Sequence, residues 1–413
     1  MKYLLFTVGT YGDLNPFLGL GAVLRERGHD VILLTNGRHR DSIMRAGLPF
    51  VNVDEDGLIE RYLNDPNYFD VSKSWKLALQ ACFLGPMRRT FGVIKQESAA
   101  QPITVISSPS GLGARIAHDA LGIPLVTIQI EPNNLRSLHD TAAMPPFLLT
   151  DKVPRFMKEA QLWIADRCFS DRHLGSAVNS FRAELGLAPV RRITQHWWNS
   201  PQLIIGMFPE WFAPRQPDWP KCFEFAGFAV WEQRTSGQTP DAIRTFVQET
   251  RPIVFATGSN QTASDDYLRT AIETCEQLNC HGLLLGPGRV PIPESMSQQI
   301  RHCAYVPLAD ILNQAAAIVH HGGAGTAARA IAAGIPQLVV PSVHGTEDIA
   351  RRLQILGVSN TLRRSAYSSR VAAFRLTQLI ESPTVRQSCR RFQNAMTAND
   401  AISRCCDLLC TGQ

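Results

Sequence analysis

Three glycine turns in this sequence hold residue types that do chemistry. His320–Thr326 reads HHGGAGT, between the apolar stretch Ala316–Val319 and the helical stretch Ala324–Ala333. Glycines at a strand-to-helix turn let the backbone approach an anion closely. The free N–H groups at the helix start, aided by the helix dipole, then bind phosphate oxygens. A histidine at the strand end adds a donor for a diphosphate, and Thr326 adds a hydroxyl. The plainer alternative is a tight turn with two packing histidines. A second turn, Thr257–Asn260 (TGSN), offers Gly258 and Ser259 to the same phosphates. The third, Gly9–Pro16 (GTYGDLNP), sets Asp13 just past the first strand. A carboxylate there can take the proton from a hydroxyl nucleophile, or it can simply cap the helix that follows Pro16. Neither a G-x-G-x-x-G fingerprint nor a P-loop is present.

These turns need strands behind them and helices in front, and the chain supplies both twice. In the first half the strands are expected at Tyr3–Val8, Val31–Thr35, Phe50–Val53, Ile103–Ser107, Pro124–Ile130 and Leu203–Met207. Helical spacing runs over Phe17–Arg27, Asp41–Ala46 and Ala114–Leu121. In the second half strands are expected at Pro252–Thr257, Gly282–Leu285, Ala316–His320 and Gln337–Val340. Helices are expected at Asp265–Leu278, Ala309–Gln314, Ala324–Ala333, Asp348–Leu356, Arg370–Glu381 and Thr384–Leu409. Such alternation implies a parallel sheet covered on both faces. The Pro-rich stretch Phe212–Lys221 suits a connection between the halves. The fold expected is α/β, two Rossmann-like domains facing a cleft. The first spans 1–215 and a linker 216–231. The second spans 232–390, and a C-terminal helix, 391–413, packs back on the first. Ligands of such sheets bind at the carboxyl ends of the strands.

Composition excludes more than it identifies. At 413 residues, two domains are the prior. An apolar fraction of 45%, a charged fraction of 19% and a net charge of +5 describe an ordinary globular chain. The arginine pairs are scattered, which argues against a nucleic-acid partner. The ten cysteines show no C-x-x-C pair and no zinc-like spacing, so no metal site is expected, and reduced thiols fit a reducing compartment. No signal peptide is evident and no apolar run approaches the ~20 residues of a spanning helix. The expectation is a cytoplasmic protein with at most peripheral membrane contact. All seven Trp lie at or before Trp231, and Trp75, Trp163 and Trp197 either wall a site for an apolar small molecule or simply fill the core of the first half.

The HHGGAGT turn with Ala332–Pro341 (AAGIPQLVVP) resembles the donor-binding signature of family-1 glycosyltransferases of the GT-B fold. GTYGDLNPFLGLGAVLRERGH resembles their N-terminal acceptor-side motif. Ser200–Trp219 is similar to the bacterial rhamnosyltransferase branch that makes rhamnolipids. The resemblance implies inverting, metal-independent transfer of a hexose from a UDP- or dTDP-sugar to a hydroxyl, with no cofactor beyond that substrate. It places the general base on Asp13 and the diphosphate-touching histidine on His320. The backbone cradle falls on Gly322, Gly323, Gly325 and Thr326, and the nucleobase contact on Tyr305–Leu308, with Tyr305 and Val306 at its start. The family's Asp-Gln pair after the donor strand is missing: Gly345 and Thr346 stand there, and Ile349 stands for the family's Asn. His344, Glu347 and Asp348 are the candidates to hold sugar hydroxyls instead. Two rivals remain at this stage: a nucleotide-sugar epimerase on the same fold, and a nucleotide-sugar binder without transfer activity. An NAD-dependent oxidoreductase stands further off, because the dinucleotide fingerprint is absent.

Overall fold

In the computed structural model, residues 1–68, 70–141, 153–231, 239–258, 264–287, 290–342, 345–397 and 400–411 are described. The chain divides into two compact units. One comprises Met1–Leu63, Ser72–Trp231 and Asp400–Gln413; the other comprises Asn64–Val71 and Glu232–Asn399.

The first unit is built on seven strands: β1 (Lys2–Phe6), β2 (Asp30–Thr35), β3 (Phe50–Asn52), β4 (Ile103–Ser107), β5 (Leu125–Gln129), β6 (Leu203–Gly206) and β7 (Phe223–Phe225). Their order is β3-β2-β1-β4-β5-β6-β7, and every pairing is parallel. The second unit has β8 (Ile253–Ala256), β9 (Gly282–Leu285), β10 (Ile300–Cys303), β11 (Ala317–His320), β12 (Gln337–Val339) and β13 (Ser359–Thr361). Their order is β10-β9-β8-β11-β12-β13, again all parallel. Each sheet reverses its direction of winding once, at β1/β4 in the first and at β8/β11 in the second. Crevices at such reversals, at the strands' carboxyl ends, are where doubly wound sheets take ligands.

Strands buried on both faces read as unbroken apolar runs, and those are the strands legible in the sequence. The three unanticipated strands, β7, β10 and β13, all lie at sheet edges. Edge strands are half-solvated, and FEF, IRHC and SNT have no long apolar run. Strand β7 falls within the stretch expected to be a linker. The aromatics between the prolines belong to the first unit's core: Trp219 and Phe223 are buried, their rings 4.9 Å apart, and Trp219 Nε1 donates to the Leu135 carbonyl at 3.1 Å.

The expected C-terminal helix is two helices. Pro383–Thr397 belongs to the second unit, and Ala401–Thr411 belongs to the first. Cys405, Cys406 and Leu409 of the latter join Leu14, Phe17, Leu20 and Leu24 in one buried cluster. All ten cysteines are free, and none of the described helices is long and apolar enough to cross a membrane.

Because the seven Trp residues all lie in the first unit, tryptophan fluorescence during urea unfolding follows that unit. Leu409→Ala is expected to lower its stability by about 2–5 kcal/mol, the usual cost of emptying a buried leucine site. An unchanged midpoint would mean that the C-terminal helix is not part of this core.

Candidate functional site

At the β8/β11 reversal of the second unit, the HHGGAGT turn separates its two histidines. His320 is the last residue of β11 and fully buried. Its Nδ1 accepts the Gly322 N–H at 3.1 Å, and its Nε2 lies 3.0 Å from Gln337 Oε1 on β12. The first contact fixes Nδ1 as an acceptor, so the proton sits on Nε2 and is donated to Gln337. Burial, with His321 adding to it, lowers its pKa to about 3. Both nitrogens of this neutral ring are thus committed inside the sheet, and neither is left for a phosphate. The diphosphate contact expected of His320 is corrected on that ground.

His321 is placed differently. It is half-buried, with Gly258 at the end of β8 on one side and Gly323 on the other. A Cβ on Gly258 would lie 2.8 Å from His321 Cε1, and one on Gly323 would lie 2.7 Å from Nε2. Its Nδ1 is buried without a hydrogen-bond partner among the described residues. Burial lowers its pKa to about 4, so it too is neutral at pH 7.

The helix Ala324–Ala333 starts immediately after, and its N-cap, Gly323, has no side chain to cap the first N–H groups. Gly325 and Thr326 occupy its first turn, Gly325 exposed and with open space where a Cβ would be. Gly322, at φ +93°, allows the close approach behind this turn: a Cβ there would meet the Thr346 carbonyl at 2.9 Å. That contact sets the start of a second helix, Thr346–Ile355, against the turn. Two helix N-termini, each with partial positive charge, therefore lie side by side.

The other candidates of the second unit fall unevenly. Tyr305 is 56% exposed in the loop after β10, while the Val306 side chain is in the core. Glu347 is exposed in the first turn of Thr346–Ile355. Asp348 is not available to a ligand. It is buried, with Oδ2 2.7 Å from Arg352 Nε and Oδ1 2.9 Å from Arg351 Nη2. Ser259 and His344 lie outside the described residues. Among the described residues no group of His, Cys, Asp or Glu side chains is arranged to hold a metal ion.

In the first unit, the loop after β1 opens the helix Tyr11–Glu26, which starts six residues earlier than its apolar spacing suggests and contains Pro16. Thr10, not Asp13, is the N-cap. Its Oγ1 accepts the Gly12 N–H at 3.3 Å, and Asp13 reaches back so that Oδ2 accepts from Thr10 N at 2.8 Å and from Thr10 Oγ1 at 3.1 Å. This is a capping box. Asp13 Oδ1 has no hydrogen bond among the described residues. Burial raises the carboxyl pKa above its ordinary value, with the Thr10 bonds pulling the other way. Capping and proton acceptance are therefore not exclusive here: one oxygen does the first and the other is left for the second.

The three tryptophans divide. Trp197 is buried between Arg115 and Arg182, each guanidinium 5.3 Å from its ring, and its Nε1 donates to Asp119 at 2.9 Å. It is a core residue, which corrects its place as an acceptor wall. Trp75 is half-buried, edge-on to His173 at 4.4 Å. Trp163 is 52% exposed on the helix Arg155–Ala165, alongside exposed Phe156, Met157 and Ile164.

Two residues near Asp13 were not anticipated. Asn36 and His39 follow β2 and are both buried, with Asn36 Oδ1 accepting the Gly9 N–H at 3.4 Å and His39 Nε2 2.9 Å from the Gly9 carbonyl oxygen. Parallel pairing of β2 beside β1 puts the two loops together, a signal present in the strand pattern but not in any motif.

The chain is similar to known proteins along its whole length. Residues 3–139 match the glycosyltransferase family 28 N-terminal domain, and residues 287–406 match the erythromycin biosynthesis protein CIII-like C-terminal domain. The O-mycaminosyltylonolide 6-deoxyallosyltransferase of Streptomyces fradiae is 25% identical over 99% of this chain and 97% of its own length. A sterol 3-beta-glucosyltransferase of Arabidopsis thaliana is 25% identical over 83% of this chain and 56% of its own. The crystal structure of the glycosyltransferase VinC in complex with dTDP superposes with a TM-score of 0.65 at 18% identity, covering 100% of this chain and 99% of that one. With a matching model at each end and relatives along its whole length, the chain belongs to the glycosyltransferases of the GT-B fold.

Proposed function

We propose that this glycosyltransferase moves a hexose, with inversion and without a bound metal or other cofactor, from a nucleoside-diphosphate sugar to a hydroxyl of an apolar acceptor. The observation that carries the reading is His321, half-buried between Gly258 and Gly323, with an Nδ1 that has no partner among the described residues, beside the start of Ala324–Ala333, whose N-cap Gly323 has no side chain to close it. A neutral imidazole there offers one N–H, and the helix N-terminus offers several more. Together with the adjoining start of Thr346–Ile355 they supply fixed positive potential where the diphosphate gains charge as it leaves. Tyr305 provides an exposed ring for a pyrimidine base. Solved relatives include one bound to dTDP, which favours a thymidine or uridine nucleotide.

Asp13 acts as the base. Its Oδ1 takes the proton of the acceptor hydroxyl, the hydroxyl oxygen attacks the anomeric carbon, and the bond from that carbon to the diphosphate oxygen breaks. One displacement inverts the anomeric centre. With Asp348 committed to Arg351 and Arg352, Glu347 is the remaining described carboxylate of that helix start able to hold sugar hydroxyls. A deoxysugar such as rhamnose fits so sparsely furnished a sugar end. The exposed Phe156, Met157, Trp163 and Ile164 support an apolar acceptor, and a relative named for a sterol acts on an alcohol of that kind.

His321→Ala is expected to weaken dTDP or UDP binding by about 10-fold or more, the equivalent of a lost hydrogen bond to a charged group. His320→Ala should instead lower thermal stability by about 1–3 kcal/mol, because it strands the Gly322 N–H and Gln337 in the core. Calorimetry and melting curves separate the two, and equal nucleotide affinity for wild type and His321→Ala would defeat the assignment.

Asp13→Asn should retain donor binding and cut transfer by about 10²-fold or more. In the wild type, kcat/KM should fall as pH drops through an acid limb above the ordinary aspartate value of about 3.9, since burial raises this carboxyl and only its ionised form accepts the proton. If Asp13→Asn keeps the wild-type rate per folded molecule, Asp13 only closes the helix.

Among hydroxylated acceptors graded by chain length, activity should rise with apolar length. Activity confined to free sugars or small polar alcohols would overturn the acceptor class.

A further inference from the structure

We infer that Asn36 and His39 form a clamp on the Gly9 peptide whose role is to hold the Asp13 carboxylate in its reactive position; this rests on the reading of Asp13 as the base. Gly9 stands at φ +131°, in the region that disfavours any side chain, and a Cβ there would lie 2.4 Å from Asp13 Oδ2. The carboxylate therefore rests directly on the Gly9 backbone, and a rotation of that peptide displaces it. Both polar groups of Gly9 are held from the next strand-to-helix connection. Asn36 Oδ1 accepts its N–H at 3.4 Å, and His39 Nε2–H donates to its carbonyl at 2.9 Å. Tyr11 packs edge-on to the His39 ring at 4.6 Å and is anchored in turn by its hydroxyl, 3.1 Å from Ser42 Oγ.

The clamp is not what stability alone would select. Asn36 Nδ2 and His39 Nδ1 are buried and have no partner among the described residues. Each such atom is costly, so two apolar side chains of similar size would fill the space with less loss. What apolar side chains cannot do is fix the two peptide units that flank a glycine, the Val8–Gly9 unit through its N–H and the Gly9–Thr10 unit through its carbonyl. Catalytic groups need positions held to within about 0.5 Å, and a misplacement of about 1 Å can cost 10²-fold in rate. Asn36 and His39 touch neither substrate nor reacting atoms; they are positioning residues.

The test compares His39→Leu, which removes the donor, with His39→Gln, whose amide can reach the same carbonyl. His39→Leu should lower kcat by about 10- to 100-fold while the donor KM and the affinity for dTDP or UDP stay at wild-type values, and His39→Gln should restore most of the loss. A folded His39→Leu enzyme with wild-type kcat would overturn the clamp, as would a loss that His39→Gln leaves unrepaired. Should His39→Leu fail to fold, Asn36→Ser removes the other arm and is held to the same criterion of lower kcat at constant donor KM. Asp13→Asn, run in parallel, separates the two readings. Wild-type turnover in Asp13→Asn removes the base assignment itself. An inactive Asp13→Asn beside a fully active His39→Leu removes only the clamp.

Discussion

In a parallel sheet every crossover leaves from the same edge, and that constraint organises each unit of this enzyme. Because β1, β2 and β4 all run the same way, the loops carrying Asp13, His39 and Ser108–Ser110 emerge together. Because β8 and β11 do, Gly258 and His321 emerge together. A helix begins after each loop with its N–H groups unpaired. What distinguishes the two units is how that deficit is met. The first unit closes its helix start with Thr10 and Asp13, and so holds an anion of its own. The second opens Ala324–Ala333 with Gly323, which has no side chain to cap it, and the proposed function gives that start an anion that arrives. The proposed base and the proposed diphosphate cradle are opposite answers to one unsatisfied helix terminus.

The same economy explains why adjacent histidines differ. Strand geometry sends successive side chains to opposite faces, and β11 ends at His320. His320 points into the sheet, where it must bond or be costly, and it bonds Gln337 and the Gly322 N–H. That second bond folds the turn back so that Gly322 meets the Thr346 carbonyl and His321 lies against Gly258. His320 thus shapes the turn, and His321 keeps an Nδ1 with no partner among the described residues. The pattern HH specifies both jobs, but which histidine does which depends on where the strand stops.

That distinction marks how far the sequence could be read. The central strands were legible because both faces are buried, and the glycine turns because few other residues permit them. The edge strands β7, β10 and β13 were not, since half-solvated strands carry no apolar run. The early start of Tyr11–Glu26 was hidden by Pro16, which reads as a helix start but is tolerated inside the helix. Asp348 looked like a ligand because it is a carboxylate near a helix start, and the neighbouring Arg351 and Arg352 gave the contrary signal at helical spacing. Trp197 looked like a wall because it is aromatic. Its partners, Arg115, Asp119 and Arg182, are too distant in sequence for any local pattern to reveal. The clamp on Gly9 was invisible for the same reason: Asn36 and His39 belong to no motif and gain their meaning only from the pairing of β2 with β1.

These misreadings share a cause. A polar residue in a local pattern shows what it could bind, whereas its role depends on which of its atoms the fold has already used. Asp13 has two carboxylate oxygens and the helix uses one. His320 has two nitrogens and the sheet uses both. Asp348 has two oxygens and the arginines use both. His321 has its Nδ1 unpartnered. For these four residues, subtracting the bonds made to described residues from the bonds each group can make leaves one oxygen on Asp13 and Nδ1 of His321. Those two remainders have the chemistry that the proposed transfer asks for: an acceptor for the hydroxyl proton, and a donor for the departing diphosphate.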